Sequence, residues 1–215
     1  LNEVIAITES PKALIGSFEE RFLRLPPEVI ITSMKENQRY FPVFKEGKLT
    51  NRFIVVSNAI SDDYDLIVRG NEKVLRARLS DALFFLDNDL KRGLSYEGLK
   101  DITYLDGLGS LFDKEVRENA IALFLVSKYE NTLLEMTPRL NKETLKALME
   151  RSVMLSKADL LSEMVYEFTE LQGLMGHYYA NAFNEDELLA LALKEQYLPN
   201  SEESALPSTL FSSIV

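Results

Sequence analysis

The reading of the chain turns on Ser152–Ala182, SVMLSKADLLSEMVYEFTELQGLMGHYYANA. Leu155, Leu160, Met164 and Phe168 recur about every four residues, the spacing of one helical face. Gln172-Gly173 interrupts that face, and Leu174, Met175, Tyr178 and Tyr179 begin another. The stretch therefore predicts a long helix, a glycine break and a second helix, with most of the chain beyond Gly70 packed on this hairpin as further helices.

Working backwards, Leu75, Leu79, Ala82, Leu86 and Leu90 trace another helical stripe. Gly93, Gly98, Gly107 and Gly109 punctuate a loop region. Ser110-Leu111-Phe112-Asp113 matches a capping box, so a helix is expected from there through about Tyr129. Asn141 is the expected N-cap of the helix leading into the opening stretch. Asn184 with Glu187 predicts a further helix over Leu188–Leu193. Pro199 and Pro207 mark an irregular end.

The first 70 residues read differently. Leu25-Pro26-Pro27-Glu28 opens a helix expected to run to about Lys35, with proline in the first turn and an acidic group at the positive end of the dipole. Phe18, Phe22 and Leu23 are expected on one face of a short helix; Ala13-Leu14-Ile15 is a short apolar run. Arg39–Phe44 and Leu49–Ser57 are rich in aromatic and β-branched residues and flank Lys45-Glu46-Gly47-Lys48, which predicts an antiparallel hairpin with Pro42 on an edge strand. The expected architecture is α+β over 1–70 followed by an all-α part over 71–215, predominantly helical overall, with Gly70 as the hinge.

The 215 residues carry 24 basic and 34 acidic side chains, a net charge of −10, and no cysteine. The absence of cysteine removes disulfides and thiolate metal sites and fits a reducing, cytoplasmic setting. The sequence contains neither an apolar run of membrane-spanning length nor a signal peptide. It opens on Leu1 and stops at Ile214-Val215 without a polar tail, which reads as a piece of a longer protein. Residues 1–70 have a net charge of −1 (9 basic, 10 acidic), whereas residues 158–215 have one basic residue, Lys194, against ten acidic ones. That acidic segment repels phosphate and is either a solvated face or a contact to a basic partner.

Chemistry-bearing motifs are few. The single histidine, His177, sits between apolar residues and has no second imidazole to form a metal cluster or triad with. No phosphate-binding glycine loop is present beyond Gly107-Leu108-Gly109-Ser110, a capped turn of low specificity. We assign no catalytic residue and no metal ligand. Cations are densest in Arg69–Arg92, where six basic residues face four acidic ones. Arg69, Lys73 and Arg76 fall on one helix face, with Arg78 beside them, and are candidate contacts to RNA phosphates; the alternative is pairing with local carboxylates such as Glu72. Lys35 and Arg39, with Gln38 and Tyr40, form a second candidate contact, the aromatic serving either an unpaired base or the hairpin core.

Several segments together resemble the beta subunit of the bacterial heterotetrameric glycyl-tRNA synthetase. They are Leu25–Phe44, Gly70–Asp89, Leu108–Arg117, Ser156–Ala180, Glu195–Pro199 and Leu206–Ser208, in the family's order and covering about Asn2 to Leu210. Asn37 departs from the histidine usual in that family before Gln-Arg-Tyr-Phe. The resemblance implies an internal fragment, lacking the C-terminal anticodon-binding region, of an enzyme that joins glycine to its tRNA in the cytoplasm. ATP and Mg²⁺ would be bound by a separate alpha subunit, with two alpha and two beta chains in the assembly. This segment would hold no cofactor of its own and would bind glycine tRNA and the alpha subunit without touching a membrane. It also implies that the helical part is HD-like but stripped of metal ligands, with Asp159 capping or pairing inside the core. Two rivals remain: an HD-type metal phosphohydrolase and a pure protein-interaction scaffold.

Overall fold

A computed structural model describes residues 2–215, except for the Asn37 side chain, so the Asn37 departure lies outside the described residues. The chain is a predominantly helical α+β protein that divides into two compact units, residues 1–87 and 88–215.

The first unit opens with α1 (Asn2–Ile7) and β1 (Lys12–Ser17). A 3-10 turn over Glu20–Arg24 follows, then α2 (Pro27–Gln38), β2 (Phe41–Lys45), β3 (Lys48–Ser57) and α3 (Tyr64–Arg92), whose last residues belong to the second unit. The expected hairpin is present. Glu46 and Gly47 both have positive φ (51° and 76°), the conformation that lets two residues reverse a right-twisted ribbon. The sheet order is β1-β3-β2, antiparallel throughout, so Pro42 does lie on an edge strand, where a missing N–H costs no ladder bond. The apolar run 13–15 forms part of β1. Gly16 pairs with Phe53, and a Cβ there would sit 2.4 Å from the Phe53 ring, so only glycine allows the ring to lie across β1. Tyr40 stacks on the same ring at 4.8 Å. Phe22, Val29, Ile30, Met34, Leu75 and Leu79 complete this core, all fully buried. Leu23, expected beside Phe22, is 41% exposed, because the short segment is a 3-10 turn whose three-residue repeat points it outward.

Gly70 lies within the 29 residues of α3, and a Cβ added there meets nothing within 4 Å. The expected break is therefore helix. The buried stripe Leu75, Leu79, Ala82 and Leu86 carries α3 through this region by packing, which outweighs the propensity cost of one glycine.

In the second unit, a 3-10 turn (Glu97–Asp101) and a two-stranded ribbon, β4 (Thr103–Leu105) and β5 (Gly109–Ser110), occupy the expected loop. Then come α4 (Leu111–Lys128), α5 (Glu130–Met136) and α6 (Lys142–Leu155). Ser110 caps α4 through a complete box with Asp113, and Asn141 caps α6 by accepting from the Thr144 amide at 2.9 Å. The long helix expected through Phe168 is not formed. The chain leaves α6 at Leu155, makes a 3-10 turn (Ala158–Leu161), then α7 (Glu163–Glu167), another 3-10 turn, α8 (Leu174–Ala182) and α9 (Glu187–Glu195). Polar side chains divide it: Ser156 donates to Glu115, Ser162 accepts from the Val165 amide and so starts α7 afresh, and Asp159 turns inward. Met164 and Phe168 are nevertheless buried, so the apolar spacing reports burial but not continuity. Asp186, rather than Asn184, caps α9, accepting from the Leu188 amide at 2.9 Å; Asn184 takes φ 57° in the turn before it. Val126, Leu133, Leu145, Met149, Val153 and Phe211 form one core cluster, and Leu155, Ala180, Leu189 and Leu193 another.

Candidate nucleic-acid interface

The six candidate cations lie in the first unit. On α3 the i, i+4, i+7 spacing places Arg69, Lys73 and Arg76 along one side of the helix, all exposed. Arg69 reaches Asp63 at 3.8 Å, and Arg76 Nε pairs with Glu19 at 2.9 Å. Lys73 takes part in no ion pair among the described residues. Glu72, the carboxylate four residues before Arg76, does not hold it; it accepts from the Ser17 amide and hydroxyl at 2.8 and 3.0 Å and so clips α3 to the end of β1. Arg78 is half-buried, away from the exposed row.

The other two cations flank the end of α2. Lys35 is exposed and lies 3.3 Å from Glu36. Arg39, in the left-handed conformation that ends α2 (φ 54°), donates through Nε to Glu3 at 2.8 Å, with a second guanidinium nitrogen at 2.6 Å. The pairing holds the Glu3 carboxyl below its ordinary range and raises the already high Arg39 value. Tyr40 is not available to a base: it is 4% exposed, stacks on Phe53, and donates its hydroxyl to Asn71 Oδ1 at 2.6 Å. Burial pushes its phenol up. That bond ties the Arg39 corner to the first third of α3. The sequence does not reveal Asn71 in this role, because an amide on a helix carries no pattern. The pairs made by Arg69, Arg76, Lys35 and Arg39 are solvent-exposed and screened by water and salt, so a phosphate can displace the carboxylate at little cost.

In the second unit the side chains closest in kind to those of a metal phosphohydrolase, Asp89, Asp159 and His177, are each engaged by the fold. Asp89 is buried and accepts from the Glu163 and Met164 amides at 2.9 and 3.1 Å and from the Tyr179 hydroxyl at 2.7 Å, so it caps α7. Asp159 Oδ2 accepts from the Gly173 and Gly176 amides at 2.6 and 3.0 Å and caps α8, in keeping with the capping role the resemblance implied. Burial pushes its carboxyl up despite those two amides. Gly173, with φ 80°, makes the turn that aims its amide at Asp159. His177 donates from Nδ1 to the Ala190 carbonyl at 2.8 Å, and its Nε2 accepts from the Asn181 amide at 3.1 Å, linking α8 to α9. A cavity of about 260 Å³ is lined by Asp89, Arg92, Leu94, Leu161 and Tyr179. Its charged groups face partners already, Arg92 donating to the Leu161 carbonyl and to Glu163. Among the described residues no three His, Cys, Asp or Glu side chains converge as a metal-binding group.

Over residues 1–215 the chain matches the family described as glycyl-tRNA synthetase beta subunit. It belongs to that family. Curated relatives named glycine–tRNA ligase beta subunit agree. The protein from Helicobacter pylori (strain Shi470) is 55% identical over 220 residues, covering 100% of this chain and 31% of the relative. Those from Lactobacillus acidophilus and Pseudomonas savastanoi pv. phaseolicola are 44% and 45% identical, again over 100% of this chain and 30% of theirs. This member of the glycyl-tRNA synthetase beta subunit family thus spans about 31% of the length of the relatives it matches.

Proposed function

We propose that this chain is a non-catalytic part of a glycine–tRNA ligase, binding glycine tRNA and contributing to assembly with the alpha subunit for ATP-dependent glycylation in the cytoplasm. ATP and Mg²⁺ act on the alpha subunit, and no active site is assigned to the residues described above. The HD-like character of residues 71–215 belongs to the same reading, with Asp159 serving as a helix cap rather than a metal ligand.

The observation that carries the tRNA assignment is the exposed row Arg69, Lys73 and Arg76 on α3, of which Arg69 and Arg76 make only weak surface pairs, in a chain of net charge −10. Arg39 and Lys35 extend it at the end of α2, and Arg78 is the candidate least open to solvent. The acidic 158–215 segment is set against RNA contact by its charge. In it, Glu163, Glu185 and Asp186 are already paired with Arg92, Arg151 and Arg139.

The test is tRNA affinity of the complete alpha–beta enzyme as a function of salt, for wild type and the triple variant Arg69→Ala/Lys73→Ala/Arg76→Ala. Removing one phosphate-bound cation should flatten the log–log salt slope by about 0.7–0.9, hence by about 2–3 for the triple variant, with weaker binding at low salt. Unchanged affinity and slope would remove α3 from the RNA interface.

A further inference from the structure

Outside the α3 row, the least explained surface is the open side of α4. Its inner side is settled: Glu115, Ala122 and Val126 are buried. Its outer side carries Val116, Ala120, Ile121 and Phe124 in one apolar stripe, with Val116 48%, Ile121 59% and Phe124 67% exposed. The spacing 116, 120, 124 with 117, 121, 128 is that of a helix prepared to receive another helix.

The charges on this stripe are one-sided. Arg117 and Lys128 lie on the same face near its two ends, both exposed, and Asp113 one turn before Arg117 acts on it electrostatically. The carboxylates of α4 are committed elsewhere. Asp113 is in the capping box, Glu115 accepts from Ser156 at 2.7 Å, and Glu118 is held by Lys114 at 2.6 Å. From Val116 to Lys128 the open face is therefore apolar and cationic, in a protein that is acidic overall.

That arrangement selects among occupants. A second copy is disfavoured by symmetry. Antiparallel pairing of two α4 helices about their stripe sets Arg117 of one against Lys128 of the other, and parallel pairing sets each cation against itself. Nucleic acid is disfavoured because two cations eleven residues apart, about 16 Å along a helix, offer little to a phosphate backbone, while valine and isoleucine offer nothing to it. A helix with its own apolar stripe and carboxylates at its flanks satisfies both features.

We propose that the outer face of α4 docks an acidic amphipathic helix of a partner protein, with Phe124 as the central anchor and Arg117 and Lys128 setting register. This is independent of the α3 assignment, since no residue is shared.

The test uses two synthetic helical peptides with the same leucine stripe, one flanked by glutamate and one by lysine, titrated into the complete beta chain and followed by fluorescence anisotropy. The glutamate peptide should bind at least tenfold more tightly, and less so as salt rises. Phe124→Asp should abolish binding, and because Phe124 is largely exposed this variant should melt like wild type by circular dichroism. Arg117→Glu/Lys128→Glu should reverse the preference toward the lysine peptide. Equal binding of both peptides, binding of neither, or a preference unchanged by charge reversal would overturn the proposal. So would self-association that disappears in Phe124→Asp, or a drop in affinity for a glycine tRNA transcript in the charge-reversed variant as large as that of the α3 triple variant.

Discussion

Glu115 is the clearest case of a single side chain whose environment has a measurable consequence. It is fully buried, accepts from Ser156 at 2.7 Å and lies 3.4 Å from the Lys114 ammonium. Burial outweighs both partners and pushes its carboxyl above the ordinary 4.5. The native state therefore holds this proton to higher pH than the unfolded chain does. The contribution to stability is largest below pH 4.5 and declines as pH rises toward the folded-state value. Asp159 acts in the same direction for the same reason. Glu115→Gln keeps the shape and the acceptor for Ser156 but cannot titrate. The stability of wild type relative to Glu115→Gln should fall between pH 4 and pH 7 in urea titrations; a difference that is flat or rises with pH would contradict the assignment. None of this was legible in the sequence, where Glu115 is one more charged residue of an amphipathic helix and nothing marks the serine forty-one positions away that reaches it.

Elements were legible where a local rule sets them. The capping box at Ser110, the N-cap at Asn141, the Glu46-Gly47 turn and the α3 stripe are all short-range patterns, and each stands where the spacing put it. The sequence misled where a long-range contact decides. The helix expected through Phe168 breaks at Ser156 because Glu115 and the α8 amides draw its polar residues inward. Gly70 reads as a hinge in isolation and is helix in the fold. Two glycines of the first unit, Gly16 and Gly70, give opposite expectations. Gly70→Ala meets no neighbour, so it should stabilise by about 0.5–1 kcal/mol through helix propensity and a less free unfolded chain. Gly16→Ala drives a methyl to 2.4 Å from the Phe53 ring and should cost about 1–3 kcal/mol by overpacking. Denaturant midpoints would separate them, and a destabilised Gly70→Ala would mean that something approaches α3 there. Of the candidate site, the three-to-four spacing on α3 was readable. The withdrawal of Tyr40 into the core was not, since the same aromatic serves a strand or a base equally well until Phe53 and Asn71 are placed around it.

Across the whole molecule, charge is segregated rather than balanced. Cations with loosely held partners lie on α3, and the open face of α4 adds two more, while ten of the carboxylates fall after Lys157. Some of those acids serve the fold: Asp159 and Asp186 start helices, and Glu195 accepts from the Ser208 amide at 2.9 Å, tying down the segment after α9. The division agrees with the proposal that RNA meets α3, since the acidic stretch would repel a phosphate backbone. Asp89 has the widest reach of these buried groups, since one carboxylate serves two amides of α7 and the hydroxyl of Tyr179 in α8. First-turn amides of a helix ordinarily lack an internal acceptor and trade their hydrogens with solvent readily. Those of Glu163 and Met164, with Gly173 and Gly176 under Asp159, should instead retain deuterium label as long as mid-helix positions do. Replacing Asp89 with alanine should release the first pair selectively and leave the second slow.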